Sequence, residues 1–502
     1  MTSSAHGLTG YDSFVRECAD TPRPPLPQAF GRLGQRNPLT GLAPGGNPFT
    51  DSSVAAAFTR ILDQMEDTTD DEDGEAAAGL TFFGQFVDHD VTLDATSAIG
   101  SRIDPRTIRN VRTPTLDLDC VYGSGPDATP HLYHPDHTAY LLFGTQANAY
   151  DLARNAKGTA LIGDPRNDEN QIVSQLQGAF VCLHNIVATA LEKDATMVPA
   201  ALEGIRARAI LDGVTPGEKV FQAARRIVRM HYQWLVMNSL LPAFVEGGVL
   251  HKVKHALAHG TLPKPFTPDS PVMPIEFSGA AYRFGHATVR NAYHLNGTVG
   301  MVKLFEMGRD EFRARKPELN VEFARLFDLP GSAAAQKARR ISRKLAGSIF
   351  HLPFITDPLM IDGHALGLAD SQKLPHRNVF RDRFALELPS GQQMARAMDV
   401  PEIPAPQELR DEGITKTPLW YYCLQEAEGH GGRLGPVGGT IVATVLLRLL
   451  YLDPESIVCA THDFKPWREL GAEADGTFSL GHMLACVEAG RDSIPLREEL
   501  KV

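Results

Sequence analysis

Apolar residues recur at helical spacing through much of this 502-residue chain. Between residues 218 and 244 they form a stripe with steps of three and four residues, at Val220, Ala223, Ala224, Ile227, Met230, Trp234 and Leu235. Segments 332–350 and 438–452 show a similar period, which predicts helices in both. The alternation of apolar and polar residues that is typical of strands is scarce, and the sequence contains no internal repeat. The pattern predicts a mainly α protein with little β structure.

Two segments near the N-terminus depart from this pattern. Residues 1–50 are rich in proline and glycine from residue 19 onward, which predicts an extended N-terminal arm. The acidic segment 63–75 predicts a solvated loop. Nothing after residue 50 marks an interdomain linker, so residues 51–502 are expected to form one large domain.

Composition and charge exclude several classes of protein. A net charge of −11 argues against a nucleic-acid binder, whose affinity would come from a basic surface. No apolar run of about 18 residues predicts a membrane span, and the N-terminus lacks the pattern of a secretory signal. The 6 cysteines show no CxxC spacing, which argues against a zinc site and a disulfide framework. A cytoplasmic location is therefore expected, with export without a recognisable signal as the alternative.

The stretch LTFFGQFVDHDVTLD, residues 80–94, places polar residues inside an apolar run. On a helix, Gln85 and His89 share one face, Asp88 lies at its edge, and Asp90 is rotated away in the other direction. Such a helix could present the amide and the imidazole to one cavity. For this stretch alone, a satisfied core histidine beside two solvated carboxylates is an equally good explanation.

Two later stretches carry similar chemistry. GDPRNDEN places Arg166 and Glu169 three residues apart, on a helical turn or in a tight loop, and YRFGHATVR places His286 near Arg283. Only tertiary structure could bring these stretches to the first one. Taken singly, Arg166 could form a surface ion pair and His286 could be hydrogen-bonded in a turn.

Together these motifs resemble those of the animal-type haem peroxidases of the peroxidase–cyclooxygenase superfamily, in a bacterial-like form. GQFVDHD, RNDE followed by LHN, and YRFGH occur in the family's order and at roughly its spacing. The similarity covers most of the chain from about residue 30 onward, and it continues through VYG (121–123), ARRIVRMHYQW (224–234), LPS (388–390) and RLGPVGG (433–439). The resemblance implies a large, mainly α domain with haem buried among its central helices.

The resemblance assigns a role to four residues of these motifs. His89 is the implied distal acid and base, because an imidazole can accept a proton from hydrogen peroxide and return it to the departing oxygen. Arg166 would stabilise the negative charge that develops as the O–O bond breaks. Gln85 would hydrogen-bond a water, peroxide or halide above the iron. His286 would be the proximal ligand of the haem iron.

Two acidic residues match positions at which much of the family forms ester bonds to haem methyl groups. These residues are Asp88 and Glu169, so the implied cofactor is haem b with two such links. Unlinked carboxylates hydrogen-bonded near the haem are the alternative. Asn170 stands where a mammalian subgroup has a methionine that makes a third link, so that link is excluded.

The remaining acid of the first stretch, Asp90, matches a calcium ligand of the family. The other implied ligands lie in the loop TPTLDLDCVYG, and they are Thr113, Thr115 (through its backbone carbonyl), Asp117 and Asp119. Oxygen ligands at alternating positions suit a hard cation such as Ca²⁺. Calcium bound there would fix the helix that carries His89. A polar turn with two solvated acids is the alternative.

One motif departs from the family's pattern. Family members usually hydrogen-bond the proximal histidine to an asparagine in a segment resembling LNxQRxRDHGLPxYN, whereas this chain reads RNVFRDRFALELPSGQQ. Gln392 is the best match to that asparagine, while Asn378, Arg381 and Arg383 occupy other positions of the motif. Arg283 is expected to pair with a haem propionate or to lie near the proximal ligand, with a structural ion pair as the alternative.

Several other polar residues are expected to be structural. His184 and Asn185, in the motif LHN, are predicted to hold helices together, and His231 is predicted to pack within its helix. Tyr282 could carry an oxidising equivalent, but a buried tyrosine is more often part of the core.

Three functions are compatible with these motifs. The first is a peroxidase that reduces hydrogen peroxide through an oxoferryl intermediate and oxidises small organic donors or halides. The second is a fatty-acid dioxygenase, but such enzymes use a tyrosine three positions before the proximal histidine, and Arg283 stands there. The third is a non-catalytic haem or calcium binding protein, which would be expected to have lost His89 or Arg166.

Overall fold

Helices make up most of the regular structure. The computed structural model describes residues 28–38, 46–50, 53–69, 71–92, 109–110, 115–201, 215–306, 312–361, 363–461, 463–495 and 497–502. In chain order the α-helices of these residues are α1 (Ser53–Asp63), α2 (Gly79–Val91), α3 (Asp119–Tyr122), α4 (Gln171–Lys193), α5 (Met197–Ala201), α6 (Pro216–Leu235), α7 (Leu241–Phe244), α8 (Gly247–Ala258), α9 (Ile275–Gly279), α10 (Leu368–Ser371), α11 (Leu374–Phe380), α12 (Gly391–Ala397), α13 (Gln407–Arg410), α14 (Leu419–Glu428), α15 (Pro436–Leu452) and α16 (Leu480–Gly490).

Shorter helical turns join these helices. The 3₁₀ turns are Pro130–Leu132, Pro165–Asp168, Ala281–Ala287, Pro317–Leu319, Phe323–Arg325, Gly347–Phe350, Arg468–Leu470 and Arg491–Ser493. Two π-helical turns, Val236–Leu240 and Arg381–Ala385, continue α6 and α11 respectively.

The strands are short and occur only as pairs within the described part of the chain. They are β1 (Gln28–Ala29), β2 (Glu66–Asp67), β3 (Asp73–Ala77), β4 (Arg109–Asn110), β5 (Ala292–Asn296), β6 (Gly300–Lys303), β7 (Lys337–Arg339), β8 (Leu345–Ala346), β9 (Met360–Ile361) and β10 (His364–Ala365). The pair β2–β8 is parallel, and β1–β4, β3–β7, β5–β6 and β9–β10 are antiparallel. The prediction of a mainly α fold is therefore confirmed.

The long helix α4 forms the centre of the core. It packs against α2, α6 and α16, and nearly all of its residues are buried. Its length and mean hydropathy would allow it to cross a membrane, but 94% of its most apolar window is buried inside the protein. Helix α4 is thus a core helix of this fold.

Aromatic rings connect α2 to the two helices behind it. Phe86 of α2 stacks on Phe180 of α4, with ring centroids 4.8 Å apart. Tyr232 of α6 meets the edge of this stack, 6.1 Å from Phe86 and 5.7 Å from Phe180. Burying aromatic rings of this size contributes about 1.5–3 kcal/mol each. This packing fixes the rotation of α2 and thereby the direction in which its polar residues point.

The first turn of α2 is held by backbone groups from a distant segment. The N–H of Ala78 donates to the carbonyl of Gln336, and the N–H of Gly79 donates to that of Leu326, both at 2.7 Å. A Cβ atom at Gly79 would lie 2.2 Å from the ring of Phe327, so only glycine allows this close approach. Helix α2 therefore starts at a position fixed by tertiary contacts.

The helix predicted for segment 332–350 does not form, and this prediction is wrong. The segment contains β7 and β8, which pair with β3 and β2. The buried Arg339 donates to Asp67 at 2.6 Å, and its backbone N–H bonds to the carbonyl of Thr288. These partners lie far away in the sequence, so they override a helical preference that is only local.

The acidic segment 63–75 also differs from the predicted loop, because it contains β2 and the start of β3. Its carboxylates pair with arginines of the segment that includes β7, as in the 2.5 Å contact between Glu72 and Arg340. The helices predicted at 218–244 and 438–452 are confirmed as α6 with its continuation and as α15. The N-terminal arm falls mostly outside the described residues and stays a prediction, as does the boundary after residue 50.

Candidate functional site

Helix α2 places its polar residues in two different environments. His89 is 6% exposed and Asp90 is fully buried, whereas Gln85 and Asp88 keep part of their surface accessible. The residues between them are buried against the aromatic cluster of α4 and α6. The alternative reading of this stretch, in which both carboxylates are solvated, is therefore wrong for Asp90.

His89 is held by a chain of buried amides. Its Nδ1 lies 2.7 Å from Oδ1 of Asn167. The Nδ2 group of Asn167 donates to Gln177 at 2.8 Å, and Gln177 in turn donates to the carbonyl of Cys120 at 3.1 Å. Because the Nδ2 of Asn167 is already committed to Gln177, its Oδ1 faces His89, and the imidazole donates its Nδ1–H. The tautomer is thereby fixed, and Nε2 is left as the basic nitrogen.

The protonation state of His89 follows from its surroundings. Burial and the positive charge of Arg166 together lower its pKa to about 4. The nearby carboxylates of Asp88 and Asp164 act in the opposite direction but do not compensate. At neutral pH the imidazole is therefore uncharged, which is the form that can accept a proton.

Arg166 approaches the distal helix from the 3₁₀ turn Pro165–Asp168. Its Nη2 donates to the carbonyl of His89 at 3.1 Å and to that of Thr92 at 2.6 Å. The same nitrogen lies 2.7 Å from the buried carboxylate of Asp164, which also caps the turn by accepting the backbone N–H of Arg166. The alternative of a surface ion pair is wrong, because the partner acid is buried and the guanidinium faces α2.

Glu169 and Gln85 meet across the same space. The side-chain amide of Gln85 donates to the carboxylate of Glu169. Asn170, the next residue, accepts the N–H groups of Ile172 and Val173 and so caps α4. An asparagine at this position therefore starts the core helix while its neighbour points toward α2.

A second segment faces α2 from the opposite side. The hydroxyl of Tyr282 donates to the carbonyl of Gly84 at 3.0 Å, which attaches the 3₁₀ turn Ala281–Ala287 to α2. Arg283 donates through Nε to the carbonyl of Ser278 at 3.0 Å, and the carboxylate of Asp88 favours its charged form. The side chain of Arg283 thus lies near Asp88 and makes no side-chain ion pair in the described part of the chain.

His286 belongs to this turn, and Asn378 of α11 is its hydrogen-bond partner. The side-chain amide of Asn378 lies 2.9 Å from Nδ1 of His286. Burial and the charges of Arg283 and Arg381 together lower the pKa of His286 to about 3, so the imidazole is neutral. Nδ2 of Asn378 faces Nδ1 of His286, which therefore accepts this hydrogen bond; turning the Asn378 amide by 180° would present Oδ1 to Nδ1–H and leave Nε2 free to bind a metal.

The prediction that Gln392 holds the proximal histidine is wrong. Gln392 lies in α12, where its amide donates to the carbonyl of Ile403 and to Thr417 Oγ1, both at 2.9 Å. Its Oε1 accepts the N–H of Thr417 at 2.9 Å, so the side chain is fully used in joining loops. Asn378, which the sequence comparison placed at another position of the motif, is the amide that contacts His286.

The residues around these two histidines fit a haem group. The polar side chains that face the region between α2 and the turn of His286 keep accessible surface, while most of their sequence neighbours are buried. These side chains are Gln85, Asp88, Arg166, Glu169, Arg283 and His286. Accessible polar surface among core helices indicates room for a ligand. A neutral imidazole can bind the iron of a haem group, and the neighbouring arginines can pair with the carboxylates that a haem group carries.

A cluster of three carboxylates lies behind the distal helix. Single oxygens of Asp90, Asp117 and Asp119 lie within 4.8 Å of one another. Oδ1 of Asp90 and Oδ1 of Asp117 are buried without a hydrogen-bond partner among the described residues. Burial and the charge of Asp117 raise the pKa of Asp90 to about 7. Such a set of hard oxygen ligands fits Ca²⁺, which would neutralise the repulsion.

The remaining members of the predicted calcium set are placed only in part. Thr115 lies beside the cluster and donates its hydroxyl to Asp117 at 2.7 Å. Thr113 lies outside the described residues. Tyr232 of α6 donates to the second oxygen of Asp90 at 3.0 Å, which ties the cluster to the core.

Three residues that were expected to be structural are confirmed in that role. His184 bonds to the carbonyl of Ala139 at 2.9 Å, and Asn185 pairs with both backbone groups of Leu141. His231 accepts the N–H of Trp467 at Nε2 and contacts the carbonyl of Ile227 through Nδ1.

Sequence reasoning missed the residues that support the site. Asn167 stands inside the motif RNDE, between Arg166 and the buried Asp168, so its sequence position was a usable signal. Asp164 precedes a proline as a helix cap would, which was a second signal. Nothing in the sequence indicated that Gln177, on the next helix, completes the chain to His89.

Comparison with known proteins identifies the family of this chain. The chain matches the sequence model of the family described as animal haem peroxidase over residues 95–451. Arg166, Glu169 and His286 lie inside the matched range, and α2 lies just before it. Chorion peroxidase of Drosophila melanogaster is 30% identical over 143 residues, which is 28% of this chain and 15% of that protein.

Solved structures share the fold at low sequence identity. Peroxidase A from Dictyostelium discoideum superposes with a TM-score of 0.58 at 14% identity, covering 93% of this chain and 94% of that chain. The fatty acid alpha-dioxygenase of Oryza sativa gives 0.56 at 15% identity, covering 93% and 82%, and that of Arabidopsis thaliana gives 0.54 at 14%, covering 89% and 76%. One fold is thus shared by a peroxidase and by dioxygenases.

Proposed function

Because this chain belongs to the animal haem peroxidase family, we propose that it is a peroxidase that reduces hydrogen peroxide and oxidises small organic donors or halides. The observation that carries the proposal is the pairing of two neutral imidazoles, one buried and one partly exposed, on elements that contact each other. Asn167 holds His89 with Nε2 free, and Asn378 contacts Nδ1 of His286.

Haem b, held by His286, would supply the iron that binds peroxide and the oxidising equivalents. The contact with Asn378 sets the orientation of the ring. With the amide turned so that its Oδ1 accepts Nδ1–H, this hydrogen bond would increase the basicity of His286 as a ligand. Arg283 and Arg381 place positive charge beside His286, where they could bind carboxylate groups of the cofactor.

His89 would move one proton from one peroxide oxygen to the other. Its neutral Nε2 would accept the proton of the oxygen nearer to the iron, and the resulting imidazolium would donate it to the departing oxygen, which leaves as water. The low pKa of His89, about 4, suits this second step, because a strongly acidic imidazolium returns its proton readily. The chain of Asn167 and Gln177 keeps the correct tautomer throughout.

Arg166 would stabilise the negative charge on the departing oxygen. Its guanidinium is anchored by the buried Asp164 and by two carbonyls at the end of α2. A fixed cation beside the reacting bond needs no reorganisation during the reaction, which is the basis of electrostatic catalysis. Removing one such group typically slows a reaction by about 10²–10³-fold.

We further propose that Asp88 and Glu169 form ester links to the cofactor and that Asp90, Asp117, Asp119, Thr113 and Thr115 bind calcium. The accessible surface of Asp88 and Glu169, next to the region assigned to haem, supports the first proposal. The two unpartnered carboxylate oxygens support the second. Calcium bound to Asp90, the residue after His89, would fix the orientation of the His89 imidazole.

A stopped-flow measurement on the haem-loaded protein tests the proposed function. Replacing His89 by Ala should preserve the haem absorption spectrum and slow the reaction with hydrogen peroxide by about 10²-fold or more. A matched control is His184→Gln, because His184 is equally buried but bonds only to structural groups. An unchanged rate in the His89 variant would contradict its assigned role.

The same protein should be tested for the dioxygenase reaction of its structural neighbours. Arg283 occupies the position at which those enzymes are expected to have their tyrosine, and the adjacent Tyr282 is bound to the backbone of α2. We therefore expect peroxide-dependent oxidation of phenolic donors and no oxygen consumption with a long-chain fatty acid. Oxygen uptake with the fatty acid in the absence of peroxide would support the dioxygenase instead.

Heating the protein in acidified organic solvent tests the ester links. If either link exists, haem should stay with the polypeptide during extraction. Replacing both Asp88 and Glu169 by the corresponding amides should then release it. Complete extraction of haem from the unmodified protein would refute the links and leave the two carboxylates as hydrogen-bonding groups.

A further inference from the structure

Helix α8 carries three histidines four residues apart on its solvent-exposed side. His251, His255 and His259 are all exposed. The opposite side of the helix is formed by Val249, Leu250, Val253 and Leu257, which are buried, and packs against α15. The helix is thus firmly attached to the core, and the histidine stripe faces away from the haem site.

The last two histidines of the stripe lie against each other. Their ring centroids are 4.1 Å apart, and the ring planes differ by 27°. Nδ1 of His259 lies 2.8 Å from the carbonyl of His255 and donates to it, so Nε2 of His259 carries the lone pair. The rings of His251 and His255 are further apart, with a centroid distance of 6.3 Å.

Two imidazoles one helical turn apart can chelate a transition-metal ion when the side chains rotate from the stacked arrangement so that one nitrogen of each ring points to the ion. Imidazole nitrogen binds Zn²⁺, Cu²⁺ and Ni²⁺, and a second-shell hydrogen bond to a carbonyl, as at His259, fixes the tautomer that a metal requires. The pair also lies at the C-terminus of α8, where the helix dipole favours a cation.

One ion can be held by only one pair of the stripe. His251 and His259 are separated by about 12 Å along the helix axis, which is too far for shared coordination. The closer pair, His255 and His259, is therefore the site, and His251 is excluded from it. Lys252, also exposed, is the nearby positive charge on the same helix that opposes binding.

We propose that His255 and His259 form a surface site for a divalent transition-metal ion, with water completing the coordination. The site is separate from the haem pocket and from the carboxylate cluster, and it does not depend on the proposed peroxidase function. It would give this protein a second, independent metal chemistry on an exposed helix.

Calorimetric titration with Ni²⁺ tests the proposal on the full-length, haem-loaded protein in buffer that contains excess calcium. The calcium occupies the carboxylate cluster, so the nickel signal reports on histidine nitrogens. We expect one ion to bind, and we expect His255→Asn or His259→Asn to weaken binding by about tenfold or more, which corresponds to about 1.4 kcal/mol. Because these side chains are exposed, the variants should fold normally, as circular dichroism would verify.

Two control variants make the test specific. His251→Asn should leave the affinity unchanged, since it lies outside the pair, and so should replacement of His131, an exposed histidine elsewhere on the surface. Equal affinities of the unmodified protein and the His259 variant would overturn the proposal. A loss of binding in His251→Asn as large as that in His255→Asn would also overturn it, because the ion would then occupy the other pair.

Discussion

The buried amide of Asn167 provides a sensitive test of the distal site, because a single atom replacement changes its charge. In Asn167→Asp, a carboxylate replaces the group whose Oδ1 lies 2.7 Å from Nδ1 of His89. A negative charge there favours the imidazolium. The substitution should therefore raise the pKa of His89 without removing its hydrogen-bond partner.

The size of this shift follows from the geometry. Charge centres of a hydrogen-bonded imidazolium and carboxylate lie about 4 Å apart, which at an effective dielectric constant of about 20 corresponds to about 4 kcal/mol. At 1.36 kcal/mol per unit this raises the pKa by about 3 units, from about 4 to about 7. The variant also loses the donation from Asn167 to Gln177, which should cost about 1–3 kcal/mol of stability.

The assay is the rate of reaction with hydrogen peroxide between pH 4 and pH 9, measured by stopped flow. Only neutral His89 can accept a proton, so the rate falls as the pH drops through its pKa. In the unmodified protein the fall should occur near pH 4, and in the variant near pH 7. At pH 5.5 the variant should be about 30-fold slower, and at pH 9 the two rates should converge.

A neutral control separates charge from packing. Asn167→Leu removes the hydrogen bond without adding charge, so it should slow the reaction at every pH. Because this hydrogen bond raises the pKa of His89, its loss should move the acid limb to lower pH, opposite to the shift in Asn167→Asp. The reasoning would be refuted if Asn167→Asp folded, bound haem and kept the acid limb of the unmodified protein. In that case Asn167 would not govern the protonation of His89.

Three further predictions concern the proximal ligand, the cation site and a structural histidine. Asn378→Val should reduce peroxidase activity by about 10–100-fold and raise the haem reduction potential, because iron-bound His286 loses the amide that, with Oδ1 turned toward Nδ1–H, increases its basicity. Gln392→Met, which removes the amide selected wrongly from the sequence, should leave the potential unchanged, and a shift in it would contradict the assignment. Calcium at about 100 times its Kd should add about 2.7 kcal/mol to the free energy of unfolding. Chelation should remove this gain, and Asp117→Asn should abolish it. A thermal unfolding curve that changes neither on chelation nor in the variant would exclude the site. His231 has a pKa of about 4 when folded, below its ordinary value of about 6.5. The stability that it contributes is therefore complete above pH 6.5 and falls by about 3 kcal/mol as the pH drops to 4. His231→Gln should lose that part of the pH dependence, as urea unfolding at both pH values would show.

The same electrostatic effect acts on the two histidines of the site. Each histidine lies beside an arginine, Arg166 on one side and Arg283 on the other, and burial together with this charge lowers its pKa. Neutral imidazoles are needed on both sides, one as a base and one as a ligand. The same physical effect thus serves two different functions, and each imidazole contacts an asparagine through Nδ1.

Local sequence patterns determined the fold class and the identity of the chemical groups. The helical period of residues 218–244 predicted α6, and the motif GQFVDHD placed Gln85 and His89 on one face of α2. These predictions succeed because helix geometry is set by residues within a few positions of one another. The absence of a tyrosine three positions before His286, where Arg283 stands, is likewise a property of the sequence alone.

Only tertiary structure decided what those groups contact. Segment 332–350 has a helical pattern but forms β7 and β8, because β3 and β2 offer it hydrogen bonds from far along the chain. Asn378 contacts His286, and Gln392 does not, because α11 lies beside the turn of His286 while Gln392 of α12 bonds to Ile403 and Thr417. Contacts of this kind depend on the packing of whole helices, and no local pattern encodes the distance between two side chains on different elements.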